Sequence, residues 1–367
     1  MFKKIILMFL SLCLVTVAGL GVYGFTIYNQ STDALSKTYK SFGKETNVIA
    51  ATKPLTLLLM GVDTGSGSRS DRWAGNSDSM ILVTVNPKTK KTTMMSLERD
   101  ILTKIKTADG TTQAKLNAAY ANGGADLAIS TVQKMMNIHI DRSVLINMKG
   151  LVQLVDAVGG ITVNNTLGFP ISIEENEPEY KAVVEPGEQH INGDQALVYS
   201  RMRYQDPEGD YGRQKRQREV IQKVLSLNSV SHYQAILKAV SNNMQTNVEL
   251  SSGSIPQLLG YQDAFKNIES KQLKGEGATL PDGGSYQIVT SEHMLEMQNV
   301  LRKSLGLDEV TELETNAVLY EELYGSAAPS SGQLGNDATT GAADFSAYSS
   351  NPYGTDQNGQ YYGQYGQ

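Results

Sequence analysis

Short apolar runs alternate with segments of helical spacing along most of this chain. The runs Leu55–Met60 and Met80–Val85 are unbroken, which predicts buried strands. Thr92–Leu97 alternates apolar and polar positions, which predicts a third strand beside them. Because Pro87–Lys91 lies between the second and third runs, it is predicted to be a hairpin connection. The early part of the folded body is therefore predicted to be a sheet.

Helical spacing takes over further along the chain. The segments predicted as helices are Ala125–Met136, Lys149–Val158, Ser231–Val240 and Glu292–Leu301. Gly159 and Gly160 end the second of these, as glycines commonly do. Arg142–Met148 and Ile161–Val163 are predicted to be extended. Since strands and helices interleave, the predicted fold class is α/β, with a mixed central sheet flanked by helices.

The N-terminal pattern is that of a membrane anchor. Lys3 and Lys4 precede Ile5–Tyr28, which contains no charged residue. At about 1.5 Å per residue in a helix, this stretch can cross a bilayer core. We therefore predict a cytoplasmic N-terminus and transmembrane helix over residues 1–28, followed by an extracellular stalk over 29–52. A cleaved signal peptide is the alternative, but no A-x-A site follows the apolar run.

The C-terminal residues 324–367 are low in complexity, and no Lys or Arg occurs after residue 325. Such a composition buries too little apolar surface to offset its ordering entropy, so this tail is predicted to be disordered. Residues 53–323 remain, and they are enough for one large domain. The chain has a single cysteine, Cys13, which excludes an intramolecular disulfide.

An arginine cluster between Tyr199 and Gln217 stands out in a chain of net charge −6. Arginine suits phosphate because its fixed donors match two oxygens at once. If Gly212 opens a helix, Arg213, Arg216 and Gln217 fall on one face. That face continues as an apolar stripe, so these side chains are predicted to point inward and to meet something anionic.

The opposite face of this helix is predicted to be exposed to solvent, and it carries Lys215, Arg218 and Gln222. Arg201 and Arg203 precede the helix, and the intervening DPEG is predicted to be a turn that brings the two groups of arginines together.

Two aspartates lie at the ends of neighbouring predicted strands. Asp63 follows the first strand and Asp78 begins the second, so both could lie at one sheet edge. Two carboxylates with open positions suit Mg²⁺, which also takes phosphate oxygens. The alternative is that each aspartate caps a turn. Arg99 follows the third strand and is predicted near the same edge, the alternative being a surface pair with Glu98 or Asp100.

Other catalytic motifs are absent from the sequence. It has no P-loop, no G-x-G-x-x-G after a strand and no G-x-S-x-G elbow. The four histidines are scattered, with no metal-binding spacing, and no histidine lies near a candidate serine nucleophile. A covalent side-chain nucleophile is therefore poorly supported.

Six ordered blocks together resemble the LytR-CpsA-Psr family of bacterial cell-envelope enzymes. The blocks are Leu57–Asp63 (LLLMGVD), Asn76–Met80 (NSDSM), Ser96–Asp100 (SLERD), Lys115–Gly124 (KLNAAYANGG), Val155–Val163 (VDAVGGITV) and His190–Gln217 (HINGDQALVYSRMRYQDPEGDYGRQKRQ). The resemblance runs from Leu55 to about Leu227. Two departures are visible: Glu98 stands where the family usually has proline, and the segment from Thr64 to Asn76 looks longer than usual.

The resemblance implies a membrane-anchored phosphotransferase. Family members are taken to move a phosphate-linked glycopolymer from a polyprenyl-pyrophosphate carrier to a peptidoglycan hydroxyl. Asp63 and Asp78 would then be metal ligands, with Mg²⁺ or Mn²⁺ as cofactor, and a hydrophobic tunnel would hold the lipid tail. The side chains expected to bind the pyrophosphate are Arg99, Arg201, Arg203, Arg213, Arg216 and Gln217. Arg99, Arg201, Arg203 and Asp210 are expected to be catalytic, with Asp210 or Asp63 taking the acceptor proton.

Two other function classes stay open. One is a transcriptional attenuator of envelope genes, but an acidic chain whose body is predicted outside the membrane argues against nucleic acid. The other is a non-catalytic protein that binds a lipid pyrophosphate or glycan, which would use the arginines without requiring Asp63 and Asp78. The glycopolymer itself cannot be predicted, because its recognition depends on loop shape.

Overall fold

The computed structural model describes residues 39–41, 52–64, 73–226, 242–248, 260–261 and 263–325. The predicted anchor over residues 1–28, the helix Ser231–Val240 and the tail beyond residue 325 lie outside this part, as do residues 65–72 of the long segment. Within the described ranges, no helix is both long and apolar enough to span a membrane.

The chain forms two compact units, and the described part of the first is built on a six-stranded sheet. The strands are β1 Leu55–Val62, β2 Ser77–Asn86, β3 Lys91–Leu97, β6 Arg142–Asn147, β9 Met244–Thr246 and β10 Ile268–Leu273. Their order in the sheet is β10-β3-β2-β1-β6-β9. β1 pairs antiparallel with β2 and parallel with β6. The predicted mixed sheet is therefore confirmed, with the most apolar strand at its centre.

The turn between β2 and β3 confirms the predicted hairpin. β2 pairs antiparallel with β3 from Met80↔Leu97 to Asn86↔Lys91. The Asn86 side chain accepts hydrogen bonds from the backbone N–H groups of Lys88 (3.0 Å) and Thr89 (3.3 Å). This asparagine turn closes the hairpin and fixes the register of the two strands.

In the described part of the chain, the first unit also contains three α-helices, a hairpin and the short 3-10 helix Ala264–Lys266. The α-helices and the hairpin are α2 Met148–Ala157, α3 Gly193–Arg201, α4 Asp210–Ser226 and the β7–β8 hairpin, formed by Ile161–Asn165 and Gly187–Ile191. α2 ends as predicted, at glycines with φ of 84° and 86°. α3 begins with a capping box in which Asn192 and Gln195 exchange side-chain and backbone hydrogen bonds. The three α-helices and the hairpin share one apolar core around Val155, Ile191 and Tyr199.

The second unit contains the remaining elements. They are the hairpins β4 Leu102–Thr107 with β5 Gly110–Lys115 and β11 Glu276–Thr279 with β12 Ser285–Ile288, and the helices α1 Ala118–Met136, α5 Ser291–Ser304 and α6 Tyr320–Tyr324. α1 starts before the predicted helix and is interrupted at Gly123 and Gly124, where φ reaches 62° at Gly124. The buried Gln298 side chain of α5 donates to the carbonyls of Met135 and Glu314, each at 2.8 Å.

Candidate active site

The two candidate metal-binding aspartates lie at one edge of the central sheet. Val62 is paired with Ser77, and the Asp63 N–H donates to the Asn76 carbonyl at 3.2 Å. Asp63 therefore leaves the sheet beside the point where Asp78 enters it. The antiparallel pairing of β1 and β2 confirms that both carboxylates belong to the same edge.

Arg201 ends α3 and lies between two carboxylates. Its Nη1 donates to Asp63 Oδ1 at 2.6 Å, and its Nη2 donates to Glu177 Oε2 at 2.7 Å. Nη1 also lies 2.8 Å from Met148 Sδ, and the guanidinium lies over the Tyr180 ring at 5.6 Å. The Nε atom is buried and donates to no described residue. The Arg201 guanidinium thus faces two carboxylates, and its Nε remains available as a hydrogen-bond donor among the described residues.

The surroundings of Arg201 keep it charged. Burial by itself would lower the pKa of the Arg201 guanidinium, but the carboxylates of Asp63 and Glu177 outweigh this effect and raise the pKa above its ordinary value. An arginine in this setting remains a fixed positive charge at any pH at which the protein is folded.

Arg213 and Asp210 form the first turn of α4. Arg213 Nη2 lies 2.7 Å from Asp210 Oδ1 and donates to the Asp78 backbone carbonyl at 3.1 Å. Gln214 donates to the same Asp210 carboxylate at 2.9 Å. Arg213 is buried, and its Nε donates to no described residue. Arg213 therefore connects α4 to the β2 end of the candidate site.

Arg216 is buried in a different way, because all three of its nitrogens have protein partners. Nη1 is paired with Asp206, Nη2 donates to the Met202 carbonyl, and Nε donates to the Tyr199 carbonyl at 2.7 Å. Asp206 opens the predicted DPEG turn, which the structure confirms, with Gly209 at a φ of 56°. The anion that meets Arg216 thus belongs to the protein itself.

Arg203 and Gln217 lie on either side of this turn. Arg203 is half-buried, stacks on the exposed Tyr204 ring at 4.6 Å and donates to its hydroxyl at 2.7 Å. Gln217 donates through Nε2 to the Ser200 carbonyl at 3.2 Å, and its Oε1 is buried with no partner among the described residues. Both side chains are thus partly buried next to the DPEG turn.

The prediction that Arg218 faces solvent is wrong. Arg218 is only 6% exposed, and it donates to Ser96 Oγ at 2.5 Å and to Gln272 Oε1 at 3.4 Å. Gln222, one turn further on, is half-buried and donates to Ser270 Oγ at 2.9 Å. The error arose because α4 packs against β3 and β10 on the face that would be exposed in a helix with only one partner.

Arg99 belongs to the second unit, whereas the other predicted site residues belong to the first. Its Nε lies 3.7 Å from Asp100, which also pairs with Lys115 at 3.1 Å. The neighbouring Glu98, which stands in place of the family proline, is buried. The role of Arg99 in the site stays a prediction.

Glu177, Met148 and Tyr180 contact Arg201, yet sequence reasoning missed all three. Glu177 lies in a turn between Ile173 and Tyr180, where its N–H donates to the Ile173 carbonyl at 2.8 Å. The acidic stretch from residue 174 to 179 was a usable signal for an arginine partner. Nothing in the sequence showed which of its glutamates would face Arg201.

A family model described as the LytR_cpsA_psr family matches residues 22–303. The chain belongs to the LytR_cpsA_psr family. The family resemblance drawn from the six sequence blocks is therefore confirmed.

Three known proteins illustrate this kinship. Biofilm regulatory protein A from Streptococcus mutans is 63% identical over 335 residues, covering 88% of this chain and 82% of that protein. Polyisoprenyl-teichoic acid–peptidoglycan teichoic acid transferase TagU from Enterococcus faecalis is 44% identical over 312 residues. The match covers 83% of this chain and 98% of that protein. A crystal structure of a Streptococcus agalactiae protein matches with a TM-score of 0.71 at 63% identity, covering 75% of this chain and 95% of that chain.

Asp63 and Asp78 are the carboxylates that the predicted metal ion would use in this LytR_cpsA_psr chain. Within the described ranges, no group of three or more His, Cys, Asp or Glu side chains is arranged to hold a metal ion. Mg²⁺ commonly binds through one or two carboxylates together with waters and substrate phosphates. The oxygen-only chemistry of this pair fits such an ion, although Asp63 also accepts a hydrogen bond from Arg201.

Proposed function

We propose that this chain is a phosphotransferase of cell-wall assembly. It would move a glycopolymer from a polyprenyl-pyrophosphate carrier to a peptidoglycan hydroxyl. The observation that carries the proposal is the pair of arginines at the sheet edge of Asp63 and Asp78: the partly buried Arg201 and the buried Arg213, each with a buried Nε that donates to no residue in the described part of the chain. Donors fixed in this way suit the oxygens of a pyrophosphate. The Enterococcus faecalis relative is a polyisoprenyl-teichoic acid–peptidoglycan teichoic acid transferase, which supports a lipid-linked glycopolymer donor and a peptidoglycan acceptor.

An apolar surface beside these arginines supports a lipid-linked donor. Leu57 and Leu59 of β1 are only half-buried although β1 is an inner strand. On β6, Val144 pairs with Leu59, and both it and Ile146 are also half-buried. Partly buried apolar side chains in the middle of a sheet leave an apolar surface that a ligand can cover. A polyprenyl tail is the occupant that fits such a surface.

The reaction would be a displacement at phosphorus. The acceptor hydroxyl oxygen attacks the phosphorus that carries the glycan, and a new P–O bond forms. The bond from this phosphorus to the bridging oxygen breaks, and polyprenyl phosphate leaves with the electron pair. The hydroxyl proton passes to Asp63 or Asp210, the carboxylates in contact with Arg201 and Arg213. The arginines accelerate the reaction to the extent that they bind the transition state more strongly than the substrate.

Asp63 and Asp78 would hold Mg²⁺ or Mn²⁺, which would supply charge neutralisation for the phosphates. We further propose that the enzyme works at the outer face of the cell membrane, anchored by residues 1–28. The apolar run Ile5–Tyr28 and the charges before it support this placement. A lipid-linked donor would then reach the site from the bilayer.

Reconstituted transfer tests this function. Full-length protein would be mixed with labelled lipid-linked donor, a peptidoglycan oligomer and Mg²⁺, and the labelled peptidoglycan product measured. We expect transfer by the wild type and a loss of about 100-fold or more in Arg201→Ala, by analogy with removing a charge-stabilising donor. Lys215→Ala, a change on the exposed side of α4, should keep full activity. Undiminished transfer by Arg201→Ala would contradict the assignment.

A second variant separates the enzyme from a protein that only binds the donor. Asp78→Ala should lose transfer while it keeps donor binding, because the arginines remain in place. Donor binding by the wild type without any transfer would favour the binding protein instead.

A further inference from the structure

Arg201, the central arginine of the candidate site, is already in contact with two carboxylates. Asp63 and Glu177 each contact one of its terminal nitrogens, so the three side chains together sum to one negative charge. A phosphate group approaching Arg201 would meet two carboxylates as well as one guanidinium. Like charges at contact distance oppose binding. A phosphate that binds Arg201 would therefore displace one of the two carboxylates.

Asp63 is fixed in its position beside Arg201 more firmly than Glu177 is. The Asp63 side chain is 15% exposed, and its backbone is tied to the sheet edge through the Asn76 carbonyl. The Glu177 side chain is 31% exposed and lies in a surface turn. Its carboxylate has one partner within the described part of the chain, Arg201 Nη2 at 2.7 Å. An ion pair that is a third exposed is weak and exchanges readily.

Glu177 accepts a hydrogen bond from the same Arg201 nitrogen, Nη2, that a bound phosphate would need. Arginine binds phosphate best through two adjacent N–H groups. Arg201 has a buried Nε that donates to no described residue, whereas Nη1 already serves Asp63 and Met148. A bidentate contact that uses the Nε of Arg201 also needs Nη2, and the Glu177 carboxylate lies against Nη2 at 2.7 Å.

We propose that Glu177 is a specificity-determining competitor for the phosphate position on Arg201. This inference rests on the proposed function. In the protein without its lipid-linked substrate, the Glu177 carboxylate accepts a hydrogen bond from Nη2. When that substrate binds, one of its phosphate oxygens displaces the carboxylate toward solvent. A pyrophosphate, with more negative oxygens spread over two phosphorus atoms, displaces it more easily than a monophosphate does. Glu177 thereby weakens retention of the polyprenyl-phosphate product relative to the pyrophosphate donor.

The matched pair Glu177→Gln and Glu179→Gln isolates this contact. Both variants remove one negative charge from the same turn, but Glu179 is exposed and makes no contact with Arg201. Both variants therefore share any long-range electrostatic effect on anion binding. A difference in anion affinity between the two variants reports the competition at Nη2. Glu177→Asp, which keeps the charge on a shorter side chain, is a second test that does not depend on glutamine being tolerated.

The measurement is calorimetric titration of the full chain with inorganic pyrophosphate and, separately, with inorganic phosphate, both with Mg²⁺. We expect Glu177→Gln to bind pyrophosphate about threefold to fivefold more tightly than the wild type, the upper part of the range for an exposed ion pair. Its affinity for phosphate should rise by a larger factor, so the preference for pyrophosphate shrinks. Glu179→Gln should stay within about twofold of the wild type, since a separated surface charge is screened.

The outcomes distinguish this inference from the function on which it rests. Weaker binding by Glu177→Gln, or binding equal to that of Glu179→Gln, would overturn the competitor role. If Arg201→Ala loses pyrophosphate binding in that same case, the proposed function stands. If the wild type does not bind pyrophosphate, or Arg201→Ala binds it as the wild type does, the proposed function fails and the competitor role fails with it.

Discussion

Arg201 and Arg216 have the same side chain and lie close in sequence, yet they have opposite surroundings. Arg216 is enclosed by Asp206 and two backbone carbonyls, and each of its nitrogens has a partner. Arg201 lies between two carboxylates, one of them partly exposed, and keeps a buried donor unused. A guanidinium whose three nitrogens all have protein partners holds the fold together, whereas one with a spare donor and a displaceable partner is available to a ligand. The number of arginines in a cluster therefore says little about how many bind substrate.

The largest effect should come from Arg216→Ala. This change leaves the Asp206 carboxylate buried without its partner, together with two carbonyls that lose their donor. Breaking one side of a buried ion pair costs about 3–5 kcal/mol. Urea unfolding followed by circular dichroism should show that loss in the free energy of unfolding. A variant as stable as the wild type would mean that Arg216 is not the structural arginine we describe.

Arg201→Ala should act on activity instead of stability. We expect its free energy of unfolding to fall by less than about 1 kcal/mol, because it removes partly exposed ion pairs. Its transfer rate should still fall by about 100-fold, as for loss of a charge-stabilising donor. Measured side by side with Arg216→Ala, the two variants should separate stability from catalysis. Equal destabilisation of both would erase the distinction.

Arg218→Gln should be intermediate, and it tests why Arg216 matters. Arg218 is buried beside the neutral Ser96 and Gln272, and burial lowers the pKa of its guanidinium to about 10. Its removal leaves no carboxylate behind, so the cost should be about 1–2 kcal/mol for unsatisfied neutral groups. Urea unfolding again gives the value. A loss as large as that of Arg216→Ala would show that burial alone, and not the stranded carboxylate, sets the cost.

The smallest effect is the pH dependence of stability that comes from Tyr199, whose ring lies 5.8 Å from the Arg216 guanidinium. Burial, and then the hydrogen bond to Glu219 at 2.8 Å, raise the pKa of Tyr199 above its ordinary value. A raised pKa in the folded state gives stability that is complete below the unfolded tyrosine pKa of about 10 and is lost as the pH rises above it. Unfolding free energies of wild type and Tyr199→Phe, measured from pH 8 to about pH 11, should therefore converge at the alkaline end. Parallel curves would contradict this.

Local patterns determined much of the fold. The apolar runs at Leu55–Met60 and Met80–Val85, the hairpin turn between β2 and β3, and the glycines that end α2 were all predictable. Each depends on residues near one another in sequence, where side-chain periodicity and turn chemistry act directly. The same logic placed Asp63 and Asp78 at one sheet edge, because antiparallel neighbours bring the end of one strand beside the start of the next.

The sequence by itself thus determined the sheet, the family and the positions at which arginines and aspartates gather. Only the tertiary structure decided which arginine meets which carboxylate: Asp206 with Arg216, Glu177 with Arg201, and, among the described residues, none with Arg218. Helical spacing gives the direction of a side chain from its own axis, but burial and charge pairing depend on what other segments bring to that side. Glu177 and Arg201 are 24 residues apart, and no local rule connects them.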